Sequence, residues 1–310
     1  MASLAIIILT HNEELHIGRA IDAVQPIATE IIVVDSGSSD QTREIAQSKG
    51  ASVFSNPWSN YSRQFQWALD NVNITADWIM RLDADEIIEP KLVAEIEAKL
   101  DFLSPEIVGI NLKRKHIFLG RWIKFGGRYP LILTRIWRRG CGRIEDRWMD
   151  EHIIVSGGST LTFEHPFSDH NLNDLSFFTD KHNKYATREA VDVLIQKYSL
   201  LPRDEQILKD VSSSQASLKR FIKEHVYNRV PFQLSSLGYF LYRYFFQLGI
   251  LDGREGLVYH FLQAAWYRFL VGAKVLEYDV RLRSLQTVEE RREALSRLTG
   301  LSLLPVRGGP

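Results

Sequence analysis

The first hundred residues alternate short apolar runs with segments of helical periodicity. Residues 5–9 (AIIIL) and 30–34 (EIIVV) are rich in β-branched side chains, as buried parallel strands are. Between these runs, residues 13–24 place their apolar side chains on one helical face. The same criteria predict strands at 51–55 and 78–82 and helices over 40–49 and 90–100. The alternation predicts an α/β fold with a doubly wound, mostly parallel sheet flanked by helices.

The pattern changes twice along the rest of the chain. Between residues 108 and 161 the strand-like pieces are shorter, and eleven Lys and Arg residues fall within 113–147. From Asn171 onward the pattern is helical, with predicted helices at 217–230, 237–248, 255–276 and 288–298. We therefore predict a catalytic domain over 1–170, a helical C-terminal region over 171–304 and a disordered tail over 305–310.

Composition narrows the class of protein. The chain has 310 residues, 45% of them hydrophobic and 25% charged, which excludes disordered and fibrous classes. The single cysteine, Cys141, cannot form an internal disulfide, and this favours a reducing compartment. The N-terminal residues lack a basic leader and no apolar run has the length of a membrane span, so a cytoplasmic location is expected.

Three polar motifs follow predicted parallel strands. They are Thr10-His-Asn12-Glu13, the turn cluster 35–40 beginning at Asp35, and Asp83-Ala-Asp85-Glu86. Each motif alone also fits a helix cap or a turn. Together they would lie on one edge of one sheet, where ligands of this architecture bind.

The Asp83-Ala-Asp85 motif indicates a divalent cation. Two carboxylates in one loop suit Mg²⁺ or Mn²⁺, completed by substrate phosphate oxygens, and such an ion would neutralise a diphosphate leaving group. Glycine-rich phosphate loops are missing after the first strand, which excludes a dinucleotide-dependent dehydrogenase and a P-loop enzyme.

Residues 8–13, 34–42 and 82–86 resemble the three signature segments of inverting family 2 glycosyltransferases with the GT-A fold. The resemblance covers about residues 4–170 and points to a lipopolysaccharide-core-type subgroup. It implies that the nucleoside pocket is lined by Thr10, Asn12, Glu13 and Asp35. It further implies that Asp83 lies by the ribose and diphosphate and that Asp85 ligates the metal. Arg63 falls where such enzymes often contact the donor, although a surface arginine on a helix fits its position equally well.

Inverting transfer also needs a general base on the acceptor side. Two acidic pairs compete for this role, Glu145-Asp146 and Asp150-Glu151. The resemblance favours Glu151 as the base, with Asp150 second. His165 is interpreted either as part of the metal site or as a structural histidine.

The expected reaction moves one sugar from a nucleotide-sugar donor, with UDP favoured, to a lipid-linked saccharide or lipopolysaccharide core. Processive synthesis is not expected, because the Gln-x-x-Arg-Trp motif is missing after Glu151. The alternatives are a polyprenyl-phosphate glycosyltransferase and a non-catalytic protein that binds sugar nucleotides.

The last third of the chain carries a net positive charge and interleaves aromatic with basic residues at 219–223, 239–246 and 266–270. We expect these segments to lie on the inner face of the cytoplasmic membrane, where anionic lipids attract cations. The alternatives are the core of a helical domain and a homo-oligomer contact. Nucleic acid is not expected as a partner, because no recognition motif is present.

Overall fold

The computed structural model describes residues 2–145, 152–201, 231–301 and 303. The chain divides into two compact units, Met1–Asn173 and Asp174–Pro310.

The first unit contains strands and helices in alternation. Its strands are β1 (Leu4–Thr10), β2 (Glu30–Asp35), β3 (Ser52–Ser55), β4 (Trp78–Asp83), β5 (Glu86–Ile88), β6 (Ile107–Phe118), β7 (Arg121–Ile123), β8 (Leu131–Arg138), β9 (Gly142–Ile144), β10 (Ile153–Val155) and β11 (Ser159–Asp169). Its helices are α1 (Ile17–Val24), α2 (Thr42–Ser48), α3 (Tyr61–Asn71) and α4 (Pro90–Lys99). The strands predicted in the first hundred residues are confirmed.

Strand β1 forms the centre of the parallel half of the sheet. It pairs in parallel with β2 on one side and β4 on the other, and β3 extends the sheet beyond β2. Leu4 to Ile8 of β1 are fully buried, because helices cover both faces of the strand. The register sets Thr10 opposite Asp35 and Leu9 opposite Asp83, which brings the ends of three strands to one edge.

The other half makes the sheet mixed rather than mostly parallel. The strand order is β3-β2-β1-β4-β8-β6-β11-β5, with β8 antiparallel to both β4 and β6, and β5 antiparallel to β11. Only Ala84 and Asp85 separate β4 from β5, so the far edge of the sheet curls back to the end of β4. The α/β fold is as predicted, and the curl adds the end of β11 to the edge that carries the polar motifs.

The prediction of short strands between 108 and 161 is confirmed for β7, β9 and β10, which have three residues each, but not for β6 and β11. Strand β6 has 12 residues and β11 has 11, and the two pair in parallel. Their pairing joins residues about fifty positions apart, and hydrophobic periodicity within a short window does not reveal such a contact.

The second unit is helical in its described part. It contains α5 (Leu175–Tyr198), α6 (Phe232–Leu241), α7 (Gly253–His260), α8 (Tyr267–Leu282) and α9 (Val288–Thr299). Helix α6 begins directly after Pro231, earlier than the predicted start at 237, because proline is favoured just before or at the first turn of a helix. The predicted helix at 217–230 and the predicted tail lie outside the described residues. No described helix is both long enough and apolar enough to span a bilayer.

Candidate active site

The loops that follow β1 and β2 are joined by hydrogen bonds. The Asn12 amide donates to Ser38 Oγ at 2.8 Å, and the Ser39 amide donates to Asn12 Oδ1 at 2.8 Å. The Glu13 amide donates to Thr42 Oγ1 at 2.7 Å. Asn12 has a φ of 55°, a left-handed conformation that asparagine tolerates better than most residues. The first two polar motifs therefore form one structure.

The buried carboxylate of Asp35 holds these two loops together by hydrogen bonds. Its side chain is 0% exposed. Thr10 Oγ1 donates to its carboxylate at 3.0 Å, and the amides of Gly37 and Ser38 both donate at 2.9 Å. Burial opposes its ionisation, but these bonds and one from the Ser38 hydroxyl hold the pKa of Asp35 below its ordinary value. The ionised carboxylate thus fixes the loop, and the place of Asp35 in a nucleoside pocket remains a prediction.

The carboxylate of Glu13 forms a hydrogen bond with the imidazole of His16. This carboxylate lies 2.6 Å from His16 Nδ1, and His16 Nε2 accepts a hydrogen bond from the Leu172 amide at 2.9 Å. His16 is 1% exposed. Glu13 therefore fixes the segment that follows β11 through His16, and its place in a nucleoside pocket remains a prediction.

Asp83, at the end of β4, lies in a cluster of complementary charges. The Tyr61 hydroxyl donates to Asp83 Oδ1. Arg135 Nη2 on β8 donates to Oδ2 at 3.3 Å, and Arg81 Nε lies 3.5 Å from Oδ1. Burial opposes the charge of Asp83, but Arg81 and Arg135 outweigh burial and hold the pKa of Asp83 well below its ordinary range. Asp83 is therefore an oriented, ionised carboxylate.

Glu86 shares Arg135 with Asp83. Arg135 Nη2 donates to Glu86 Oε1, and the Asp83 amide donates to Glu86 Oε2 at 2.9 Å. Burial raises the pKa of Glu86 to about 8, because Arg135 only partly offsets the burial and the neighbouring carboxylate of Asp83. The pKa of the Tyr61 phenol is also raised, first by burial, so it stays protonated and donates to Asp83.

Asp85 lies beside the end of β11. The His170 amide donates to its backbone oxygen at 2.9 Å, and Asn171 Nδ2 donates to its Oδ2 at 2.9 Å. Arg19 Nη2 donates to the backbone oxygen of His170, also at 2.9 Å. Burial, and next the positive charge of Arg19, lower the pKa of His170 against the opposing charge of Asp169, which favours the neutral imidazole.

These residues fit a divalent cation that is shared with a substrate. Asp85 offers a half-buried carboxylate, and His170, whose backbone amide bonds to Asp85, carries an imidazole, a group that Mn²⁺ accepts as a ligand. Within the described part of the chain, no three His, Cys, Asp or Glu side chains converge on one point. A Mg²⁺ or Mn²⁺ ion here would take its remaining ligands from phosphate oxygens and water.

The other predicted site residues lie elsewhere. Arg63 is exposed on α3, and its guanidinium makes no ion pair with the described residues. Glu151 and Asp150 lie outside the described residues, as does Asp146. His165 Nδ1 donates to Glu95 Oε2 at 2.9 Å, so the structural interpretation accounts for this histidine.

Sequence reasoning missed Tyr61, Arg135 and His170. His170 directly follows β11, just as the predicted site residues follow β1, β2 and β4. Its position after a strand could have indicated a site residue, but only once β11 had been located. Arg135 is one of eleven basic residues between 113 and 147, and only the register of β8 selects it.

A model of the family described as Glycosyl transferase family 2 matches residues 5–170, and the chain belongs to this family.

Named relatives agree with this family. The lipopolysaccharide core biosynthesis glycosyltransferase LpsC of Rhizobium meliloti (strain 1021) is 31% identical over 200 residues, which cover 60% of this chain and 70% of LpsC. An uncharacterized glycosyltransferase of Rickettsia typhi is 41% identical over 97 residues, or 31% of this chain and 32% of the relative. The chain thus spans about a third of the Rickettsia relatives that it matches.

Among solved structures, glucosyl-3-phosphoglycerate synthase from Mycobacterium tuberculosis, in complex with Mn²⁺, UDP and glucosyl-3-phosphoglycerate, is similar with a TM-score of 0.31. It is 24% identical, and the match covers 37% of this chain and 44% of that one.

Proposed function

We propose that the chain is an inverting glycosyltransferase that moves one sugar from a nucleotide-sugar donor, with UDP favoured, to a lipid-linked saccharide or lipopolysaccharide core. The observation that carries the proposal is the meeting of the loop built on Asp35 with Asp83 and Asp85 at one sheet edge. The acceptor class draws on the similarity to LpsC. Action at the inner face of the cytoplasmic membrane is part of the same proposal.

On the donor side, Asp83 and Asp85 are proposed to have different roles. Asp83 is held rigidly by Tyr61 and Arg135, which suits a carboxylate that must accept hydrogen bonds from a ribose without moving. Asp85, with His170, would hold Mg²⁺ or Mn²⁺. When bound, the ion would neutralise charge that develops on the departing diphosphate.

On the acceptor side, a carboxylate or histidine base takes the proton of the attacking hydroxyl as the bond from the anomeric carbon to the diphosphate breaks. Glu151 is proposed for this role, with Asp150 second, on the resemblance of their segment.

A thermal-shift panel tests the donor part of this proposal. UDP-, GDP-, CMP- and dTDP-sugars are added with and without Mn²⁺, since selective binding stabilises the folded chain by mass action. A UDP-sugar should raise the melting temperature most, and only with the cation. Equal shifts for all nucleotides, or none, would contradict the proposal.

Turnover separates the catalytic proposal from its alternatives. A non-catalytic protein would bind the sugar nucleotide without releasing the nucleotide. A polyprenyl-phosphate glycosyltransferase would release it with the lipid phosphate alone as acceptor.

A further inference from the structure

Residues 232–266 form a helical hairpin, called here the apolar hairpin. Its first arm is α6 continued by a π-helical turn over Tyr242–Phe246, and its second arm is α7 continued by a π-helical turn over Phe261–Trp266. The arms pack together, with the rings of Phe240 and Phe261 5.8 Å apart. A short 3₁₀ turn, Gly249–Asp252, leads from the first arm into the second.

The tip of the hairpin exposes large apolar side chains. Phe246 is 80% exposed, Leu251 is 54% exposed and Phe245 is 51% exposed. Leu237, Leu248 and Ile250 continue this surface. On the first arm, Leu237, Leu241 and Phe245 are exposed at intervals of four residues, which places them along one helical face. Monomeric soluble proteins rarely expose a continuous apolar surface of this kind.

The first arm and the tip of the apolar hairpin expose no charged side chain. Between residues 233 and 251 the only charged residue is Arg243, which is buried and lies over the ring of Tyr239 at 5.7 Å. Farther along, Arg268 pairs with Glu189 at 3.0 Å. The cations that the sequence suggested for lipid attraction at 243 and 268 are therefore engaged within the chain.

Three backbone amides at the tip donate to carbonyls of the same turn. The Gln247 amide donates to the Tyr242 carbonyl at 3.0 Å, Leu248 donates to Phe245 at 3.3 Å, and Leu251 donates to Leu248 at 2.9 Å. A turn that enters hydrocarbon needs such pairing, because lipid tails offer no hydrogen bonds. A turn that docks on a protein or remains in water does not.

We infer that the apolar hairpin inserts its tip, Phe245–Leu251, into one leaflet of a lipid bilayer. The occupant of the surface is hydrocarbon, because the tip combines exposed apolar side chains, no charged residue and three amides that bond within the turn. Insertion holds the chain on the membrane by apolar burial rather than by attraction to anionic lipid. This deepens the proposed function, since a lipid-linked acceptor lies at the same surface.

Vesicle flotation of the full chain tests the inference. Wild type should float with neutral phosphatidylcholine vesicles at low and at high salt. The double variant Phe246→Ser/Leu251→Ser should bind them roughly a hundredfold more weakly, about tenfold for each apolar side chain that no longer leaves water. Phe102→Ser is the matched control, because Phe102 is 85% exposed in the first unit. It should float like wild type.

Three outcomes would overturn the inference. In the first, wild type does not float at all. In the second, it floats only with anionic vesicles and only at low salt. In the third, wild type self-associates without binding vesicles, and the double variant is dissociated. Nucleotide release is followed in the same preparations without vesicles. Wild type that fails to float but turns over contradicts the hairpin inference alone, whereas wild type that floats without turnover contradicts the proposed glycosyl transfer alone.

Discussion

At the scale of single residues, the site consists of carboxylates whose environments give them different tasks. Asp35 is fully buried and accepts hydrogen bonds from Thr10 and from the loop that follows β2. Asp83 is partly exposed and forms an ion pair with Arg135. Asp85 lies at the turn into β5, beside His170. The sequence shows three similar aspartates, and their differences arise from what the fold places around each one.

The general base belongs to this scale. Glu151→Gln keeps the shape of the side chain but cannot take the acceptor proton, so the rate of transfer should fall roughly 10²–10⁴-fold while donor affinity stays unchanged. Asp150→Asn should cost less, and the same changes at Glu145 and Asp146 least. Steady-state transfer assays measure this. If Asp146→Asn abolishes transfer and Glu151→Gln leaves it intact, the assignment of the acidic pairs is wrong.

The buried pair Arg135–Glu86 predicts strong coupling. At about pH 9, above the raised pKa of Glu86, Arg135→Met leaves the carboxylates of Asp83 and Glu86 without their shared cation, and the free energy of unfolding should fall by about 3–5 kcal/mol. Adding Glu86→Gln removes one of those carboxylates, so the double variant should be more stable than the sum of the single changes by about 1–3 kcal/mol. Urea unfolding of the four proteins measures the coupling. Additive effects would contradict the described ion pair.

At the scale of elements, Glu95 connects α4 to the irregular part of β11. Its carboxylate accepts hydrogen bonds from the amides of Glu164 and His165, both at 2.9 Å, and pairs with Lys99 at 2.7 Å. These two amides lie where the register of β11 against β6 shifts, so the sheet does not satisfy them. One carboxylate from the helix takes the place of the missing strand partner.

This connection predicts a pH dependence. Burial opposes the charge of Glu95, but the hydrogen bonds lower its pKa from an ordinary 4.5 to about 2. Its contribution is therefore complete above pH 4.5 and is lost as the pH falls towards 2. At neutral pH, Glu95→Gln should lower the free energy of unfolding by about 1–3 kcal/mol, and the gap from wild type should narrow between pH 4.5 and 2.

Glu97→Gln is the matched control for Glu95→Gln, because Glu97 is exposed on the same helix. It should change stability by less than about 0.5 kcal/mol at either pH. A gap that stays constant on acidification would mean that Glu95 does not carry the connection.

At the scale of the whole molecule, local pattern predicted one half of the sheet and not the other. The apolar runs that became β1, β2 and β4 are largely buried on both faces, so their composition alone marks them. The pairing of β11 with β6 and β5 depends on contacts between distant residues, and so does the position of His170. Sequence reasoning therefore found Asp83 and Asp85 but not their partners.

In the second unit, local sequence pattern did not predict which side chains are buried. Aromatic and basic residues alternate over 239–246, and the pattern suggested exposed cations. The structure buries Arg243 and exposes Phe245 and Phe246. Which side of a helix faces inward depends on the neighbouring helix, and the sequence of one helix with large apolar residues on several sides does not specify it.

The central claim is that Asp85 brings a divalent cation to a nucleotide-sugar at the end of β4. Nucleotide release from the sugar nucleotide that stabilises the chain most tests it directly, with Mn²⁺ or with excess chelator, for wild type and Asp85→Asn. Asp22→Asn serves as the control, because Asp22 is a largely exposed carboxylate whose described partner is Lys49. We predict that chelation and Asp85→Asn each lower turnover roughly a hundredfold or more, that Asp85→Asn also removes the stabilisation by Mn²⁺, and that Asp22→Asn behaves as wild type. Full turnover in excess chelator, or full turnover of Asp85→Asn, would contradict the claim.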